Sequence, residues 1–345
     1  MKLNLRTRPA IAALGAALAL TALTGTPATA APATATGVPS GCGSFSTQVA
    51  MTAGTPADQR ISGLLCEPRA PRGGTVQLLL HGGTYDHTYW TMRGDSGKPS
   101  YVEAAVKAGN AVLAVDRLGT GRSSAPHSST YATDTNEVVT HQIVKLLRDR
   151  GYAKVILVGN SFGATSARMT AVQYPGDVDG LILTGEGGYP NYATFGAMAD
   201  LWTTADQHPL LAHRGLDSGY TALRTGSKAP WFYDPRTTDP KVTEYDEATT
   251  EPGVYPADPM HGDVSYSKQI RVPVLVVLGE NDKLLCGEGA SDCSDSAALK
   301  ASIGPLYAPE ARLETKVVPD TGHVLNLHRT TDQWYGLAQD WARRL

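Results

Sequence analysis

The chain is poor in several features at once. Among its 345 residues, Lys and Arg number 30 against 33 Asp and Glu, for a formal charge of −3. No basic run occurs beyond the first few residues, so nucleic acid and anionic membrane surfaces are not expected partners. No apolar run reaches the roughly 20 residues that a membrane-spanning helix needs. The four cysteines, Cys42, Cys66, Cys286 and Cys293, are too sparse for the ligand spacing of a zinc site. No internal repeat is found.

What is present begins with a leader. Lys2, Arg6 and Arg8 precede a fourteen-residue apolar run, Ala10 to Leu23, and Ala28-Thr29-Ala30 offers a small-x-small cleavage site. This is the pattern of a secretory signal over residues 1–30, cleaved near Ala30. The leader carries three basic and no acidic residues, so its removal takes the formal charge from −3 to −6. Residues 31–44 read as a linker. In an exported chain an even cysteine count points to disulfides. Sequence proximity favours Cys42–Cys66 and Cys286–Cys293 among the three pairings that four cysteines allow.

Apolar strand-like runs recur at 75–80, 111–115, 154–158, 180–183, 273–278 and 313–318, with helix-like segments between several of them. Phe45 to Met51 and Arg60 to Cys66 read as an opening antiparallel hairpin. Thr135 to Arg150 carries Val138, Val139, Ile143, Leu146 and Leu147 near one helical face, with Gly151 as a stop. A closing helix is expected over Thr330 to Arg344. Continuous apolar strands alternating with helices indicate an α/β protein whose mostly parallel sheet is covered on both faces. Between residues 188 and 268 the alternation stops. That stretch holds 11 of the 24 aromatic residues and reads as a cap over the serine that shapes an apolar pocket, the alternative being a helical excursion whose aromatic side chains pack on the core.

The chemistry centres on Gly159-Asn160-Ser161-Phe162-Gly163, which follows an apolar strand and precedes a helix-compatible segment. Strand, sharp turn and helix are the context in which Gly-x-Ser-x-Gly presents a nucleophilic hydroxyl. A serine needs a base to take its proton and an acid to orient that base. His323, in Pro319-Asp320-Thr321-Gly322-His323, follows the last strand and is the candidate base. Asp282, in Gly279-Glu280-Asn281-Asp282, follows the preceding strand and is the candidate acid, with Glu186 as a rival. The oxyanion donors are expected to be the N–H groups of Phe162 and Gly83, with Thr84 close behind Gly83. Tyr85, Trp90, Trp202 and Trp231 are candidate substrate contacts. His81 reads as a loop brace, and His328 is set aside as a structural histidine. The loop Asp116-Arg117-Leu118-Gly119-Thr120-Gly121-Arg122-Ser123 lacks the third glycine of a dinucleotide fingerprint and reads as a hydrogen-bonded turn.

Taken together, His81-Gly82-Gly83, the Asp116–Ser123 loop, Gly159 to Gly163, Gly279-x-x-Asp282 and Gly322-His323 resemble the α/β-hydrolase-fold serine hydrolases of the secreted bacterial esterase and lipase type. Many relatives carry His where this chain has Asn160. The resemblance implies an eight-stranded, mostly parallel sheet flanked by helices, with a core of residues 45–187 and 269–345. It also implies a cap, 188–268, inserted between strands 6 and 7. The implied activity is cleavage of a carboxylic ester or lactone with no cofactor and no metal. Amide or thioester hydrolysis and cofactor-free haloperoxidase-like chemistry are the alternatives on the same fold. A binding module that has lost catalysis is a further one.

Overall fold

The computed structural model describes residues 41–68, 74–95, 97–255 and 262–345. The leader, and the linker up to residue 40, lie outside them. The strands are β1 (Cys42–Val49), β2 (Gln59–Cys66), β3 (Thr75–Leu80), β4 (Ala111–Val115), β5 (Lys154–Asn160), β6 (Gly180–Thr184), β7 (Trp202–Thr204), β8 (Thr221–Leu223), β9 (Val274–Gly279) and β10 (Glu314–Val318). Eight of them form one sheet in the order β1-β2-β4-β3-β5-β6-β9-β10. The β1/β2 and β2/β4 pairs are antiparallel and the remaining pairs are parallel.

β3, β4, β6 and β9 are buried along their whole length, because helices cover both faces. Among these helices are α1 (Tyr101–Lys107), α2 (Thr135–Asp149) and α3 (Phe162–Gln173). Ser100 and Glu103 close a capping box on α1, which satisfies two N–H groups at its start. α2 buries Val138, Val139, Ile143, Val144 and Leu147 on one face and ends at Gly151, which adopts φ of 90°. The C-terminal helix Asp332–Arg344 buries Trp334 and Trp341.

β1 starts at Cys42, inside the stretch read as linker, because Cys42 stands opposite Cys66 in the ladder and is bonded to it. The second disulfide is Cys286–Cys293. Both pairings are the ones favoured by proximity, and among the described residues no cysteine is free. Among the described residues no helix is long and apolar enough to cross a membrane.

Between β6 and β9 the described chain forms α4 (Tyr192–Met198), the small antiparallel pair β7/β8, α5 (Ala229–Phe232) and α6 (Pro240–Ala248), joined by short 3-10 turns. Buried polar bonds brace this excursion internally and tie it to the sheet domain. The fully buried Lys228 Nζ donates to Asp246 Oδ1 at 2.8 Å, while the Tyr233 and Tyr85 hydroxyls donate to Asp246 Oδ2 at 2.6 and 3.1 Å. Tyr85 comes from the loop after β3, so one carboxylate holds excursion and core together. Burying charge is favourable only with such pairing and hydrogen bonding.

Candidate active site

Ser161 sits at the end of β5, held at φ 50° and ψ −122°. A non-glycine residue there is strained by about 1–3 kcal/mol, a strain found mostly where function requires it. The surroundings leave the turn little choice. A Cβ on Gly163 would overlap the carbonyl oxygens of Leu80 and His81, and one on Gly159 would overlap the Ala164 backbone. The Ser161 N–H donates to the Thr184 carbonyl at 2.8 Å, tying the turn to β6. Phe162 opens α3, and the N-terminal end of a helix favours negative charge.

Asp282 and His323 come from the ends of two neighbouring parallel strands, β9 and β10, paired Gly279 to Val318. Beyond the pairing, the Glu280 N–H donates to Val318 O at 2.9 Å and the Asn281 N–H to Thr321 O at 2.9 Å. These bonds carry the two loops side by side, and His323 Nδ1 lies 2.9 Å from Asp282 Oδ2 and 3.1 Å from Oδ1. Both side chains are buried. Because a carboxylate only accepts, Nδ1 carries a proton toward Asp282, and in the neutral ring this leaves the lone pair on Nε2. His323 Nε2 has no hydrogen-bond partner among the described residues.

Ser161 and His323 line one cavity of about 360 Å³. Phe162, Thr165 and Leu285 supply part of its wall, and Pro190, Tyr192, Phe195 and Val264 of the excursion supply much of the rest. The lining is mostly apolar. Tyr192 and Phe195 are three apart on α4 and remain exposed at its rim.

Glu186 also borders the cavity, but its Oε1 accepts from Arg168 Nε at 2.9 Å rather than facing His323. Gly82 stands against Ser161: a Cβ there would lie 3.3 Å from Ser161 Cβ. The Thr84 N–H donates to the Tyr255 hydroxyl at 3.1 Å, whereas the Gly83 N–H makes no hydrogen bond among the described residues. His81 braces this loop. Its Nδ1 faces Gly82 O at 2.9 Å, and its Nε2 accepts from the Arg117 N–H at 3.1 Å. Burial, with Arg117 nearby, pushes its pKa well down and keeps it neutral. His328 plays the same part under His323: Nε2 accepts the N–H groups of Asp234 and Gly322 at 3.0 and 3.1 Å, and Nδ1 faces Val324 O at 2.9 Å. Burial pushes its pKa down to about 4.

The four aromatic residues expected at the substrate stand elsewhere. Trp90 is fully buried against Tyr89 and Tyr101. Tyr85 is committed to Asp246, Trp202 packs on Tyr255, and Trp231 packs on the core. None lines the cavity beside Ser161. The smaller aromatic side chains of α4, Tyr192 and Phe195, meet the cavity instead. Tyr192, Phe195 and Leu285 line the cavity without having been singled out from the sequence as substrate contacts. The three-residue spacing of Tyr192 and Phe195 was the one local signal available.

Asp86, His87 and Asp116 offer ligand atoms within 4.8 Å of one another, the spacing of a cation site. Their lone pairs are engaged otherwise. Asp116 Oδ1 faces His87 Nδ1 at 2.6 Å and accepts the His87 N–H at 2.9 Å, Oδ2 accepts the Arg122 N–H at 3.0 Å, and Asp86 caps Thr88. Burial opposes ionisation of Asp116, but the His87 ring and these N–H groups outweigh it and hold the carboxyl below its usual range. The donor set is that of a braced turn.

Solved structures similar in fold include a thermophilic esterase from Thermogutta terrifontis, 19% identical, with 87% of this chain and 98% of that chain covered at a TM-score of 0.60. Naproxen esterase from Bacillus subtilis is 15% identical over 87% of this chain and 91% of that one, at 0.57. Carboxylesterase CesB from Bacillus subtilis is 17% identical over 86% and 92%, at 0.53. At these identities the likeness is one of fold. No curated protein matches the sequence. The model of the alpha/beta hydrolase family matches residues 77–333, which takes in every strand of the parallel sheet from Gln77 onward as well as Ser161, Asp282 and His323; the chain belongs to that family.

Proposed function

We propose that the protein is an exported serine hydrolase that cleaves carboxylic esters, lactones included, bearing an apolar moiety. One observation carries the reading. A serine held at positive φ on a strand-to-helix turn shares an apolar cavity with the lone-pair nitrogen of a histidine, whose other nitrogen faces a buried carboxylate.

Ser161 Oγ attacks the carbonyl carbon as His323 Nε2 takes its proton. Asp282 keeps the proton on Nδ1 and stabilises the imidazolium as it forms. The N–H groups of Phe162 and Gly83 hold the oxygen that becomes negative. His323 returns the proton to the leaving alcohol, and water then releases the acyl group by the same steps in reverse roles. Catalytic hydrogen bonds in ligand-free enzymes commonly tighten only when substrate binds, so the open His323 Nε2 suits a resting state. Residues 188–268 act as the cap, since Pro190, Tyr192, Phe195 and Val264 wall the cavity. Two disulfides suit an oxidising compartment outside the cell.

The test is a fluorophosphonate probe on folded protein, with p-nitrophenyl esters of increasing chain length and matched amides and thioesters as substrates. The expected result is labelling that Ser161→Ala abolishes, with esters turned over ahead of amides. Folded protein that is neither labelled at Ser161 nor active on any ester ends the reading.

A further inference from the structure

Tyr255 has no part in the mechanism above, yet its position is unusual. Its hydroxyl oxygen accepts the Thr84 N–H at 3.1 Å, and a Cβ on Gly83 would stand 3.0 Å from the same oxygen. Gly82, the next residue back, lies against Ser161. The Tyr255 ring meets Phe162 edge-on with centroids 5.0 Å apart. The hydroxyl therefore stands on the loop that supplies one oxyanion donor, and the ring on the residue that supplies the other.

Arg117 completes the cluster from behind. Its guanidinium carbon is 4.8 Å from the centre of the Phe162 ring, and its Nη2 donates to Gly82 O at 3.1 Å. Burial pushes the Arg117 pKa down, and Tyr255 is the main group that offsets this. A buried positive charge beside the loop favours a negative oxygen there. A phenol oxygen that accepts one N–H keeps its own proton to give. Among the described residues no acceptor takes the Tyr255 proton.

We propose that the Tyr255 hydroxyl is a third oxyanion donor, giving a hydrogen bond to the substrate oxygen that becomes negative when Ser161 attacks. The O–H bond of Tyr255 is not broken; it is lent to the transition state beside the Phe162 and Gly83 N–H groups, with Thr84 N–H and Arg117 fixing where it points. The proposal rests on Ser161 being the nucleophile.

The test compares wild type with Tyr255→Phe, which keeps the ring and removes the hydroxyl. Measured are kcat and KM on a p-nitrophenyl ester, fluorophosphonate labelling, inhibition by an aryl trifluoromethyl ketone, which forms a tetrahedral adduct with the serine, and the melting temperature. Loss of one donor predicts a fall in kcat of about 10²-fold, with ketone affinity falling in parallel. KM stays within about 3-fold, because the bond is made only in the transition state. Tyr255→Phe with wild-type kcat overturns the proposal, as does a lower kcat with ketone affinity unchanged, which marks a structural role. If the variant folds poorly, 3-fluorotyrosine at 255 alters the donor while keeping the packing, and unchanged kcat and ketone affinity overturn the proposal equally. Wild type that is not labelled at Ser161 refutes the underlying reading; labelled wild type with an indifferent Tyr255→Phe refutes Tyr255 alone.

Discussion

Replacing Asp282 by Asn separates the two candidate acids, and the local geometry says how. Asp282 Oδ1 accepts the N–H groups of Leu284 and Leu285 at 2.9 and 3.3 Å, whereas Oδ2 is the atom nearest His323 Nδ1, at 2.9 Å. An asparagine must keep its carbonyl oxygen toward those two N–H groups, so its NH2 group takes the place of Oδ2. A donor now faces Nδ1. The imidazole answers by moving its proton to Nε2, and the base that Ser161 needs is lost. Inverting the tautomer in this way predicts a fall in kcat of about 10⁴-fold, with KM little changed. That fall corresponds to about 5 kcal/mol of barrier. Glu186→Gln gives a different result. Glu186 is paired with Arg168, so the variant loses a charged hydrogen bond worth about 1.5–3 kcal/mol of stability while the folded enzyme keeps most of its kcat. The assays are steady-state kinetics on one soluble ester and urea unfolding for all three proteins. Asp282→Asn retaining a tenth or more of wild-type kcat refutes the reasoning, as does Glu186→Gln falling as far as Asp282→Asn.

Groups outside the reacting centre have consequences of their own. His328 is neutral in the fold, with a pKa pushed down to about 4, while in the unfolded chain it takes a proton near 6.5. The unfolded state thus binds more protons between these values, and stability falls as pH drops from about 6.5 to about 4, by about 3 kcal/mol from this group. His81 acts in the same direction, because its pKa is also pushed down by burial. Urea midpoints measured across that range check the sign; a His328→Gln variant with an equally steep decline contradicts it. Lys228→Met leaves the Asp246 carboxylate buried with two tyrosine hydroxyls and no cation, and is expected to cost about 3–5 kcal/mol in the same assay. An unchanged midpoint would show that the pair does not brace the excursion. Cys42–Cys66 joins residues 24 apart, so removing it with paired Cys→Ser changes is expected to cost about 3 kcal/mol, read as a lower melting temperature. A melting temperature equal to wild type counts against that.

The sheet was legible in the sequence because its parallel strands are buried on both faces and so appear as unbroken apolar runs. Val274–Gly279 and Lys154–Asn160 differ from their expected bounds by only a residue or two. Ser161, Asp282 and His323 could be picked out because each lies just past such a run, and parallel strands bring the loops at their C-terminal ends to one edge of the sheet. The excursion obeys another logic. α4, α5 and α6 are each short, with little periodicity to detect. They are held by individual bonds such as Lys228 to Asp246 and Arg214 to Glu251, whose partners no local pattern announces. Composition could show that the excursion is rich in aromatic side chains but not which way they face. Trp202 and Trp231 pack on other residues, while Tyr192 and Phe195 remain at the cavity rim. Tyr255 gives no local signal for the same reason: its hydroxyl meets a loop more than 170 residues earlier in the chain, which only the folded excursion brings to it. The placement of side chains at strand ends can therefore be read from local sequence here. Which excursion side chains face the cavity cannot be, and the chain-length series of esters addresses what they select.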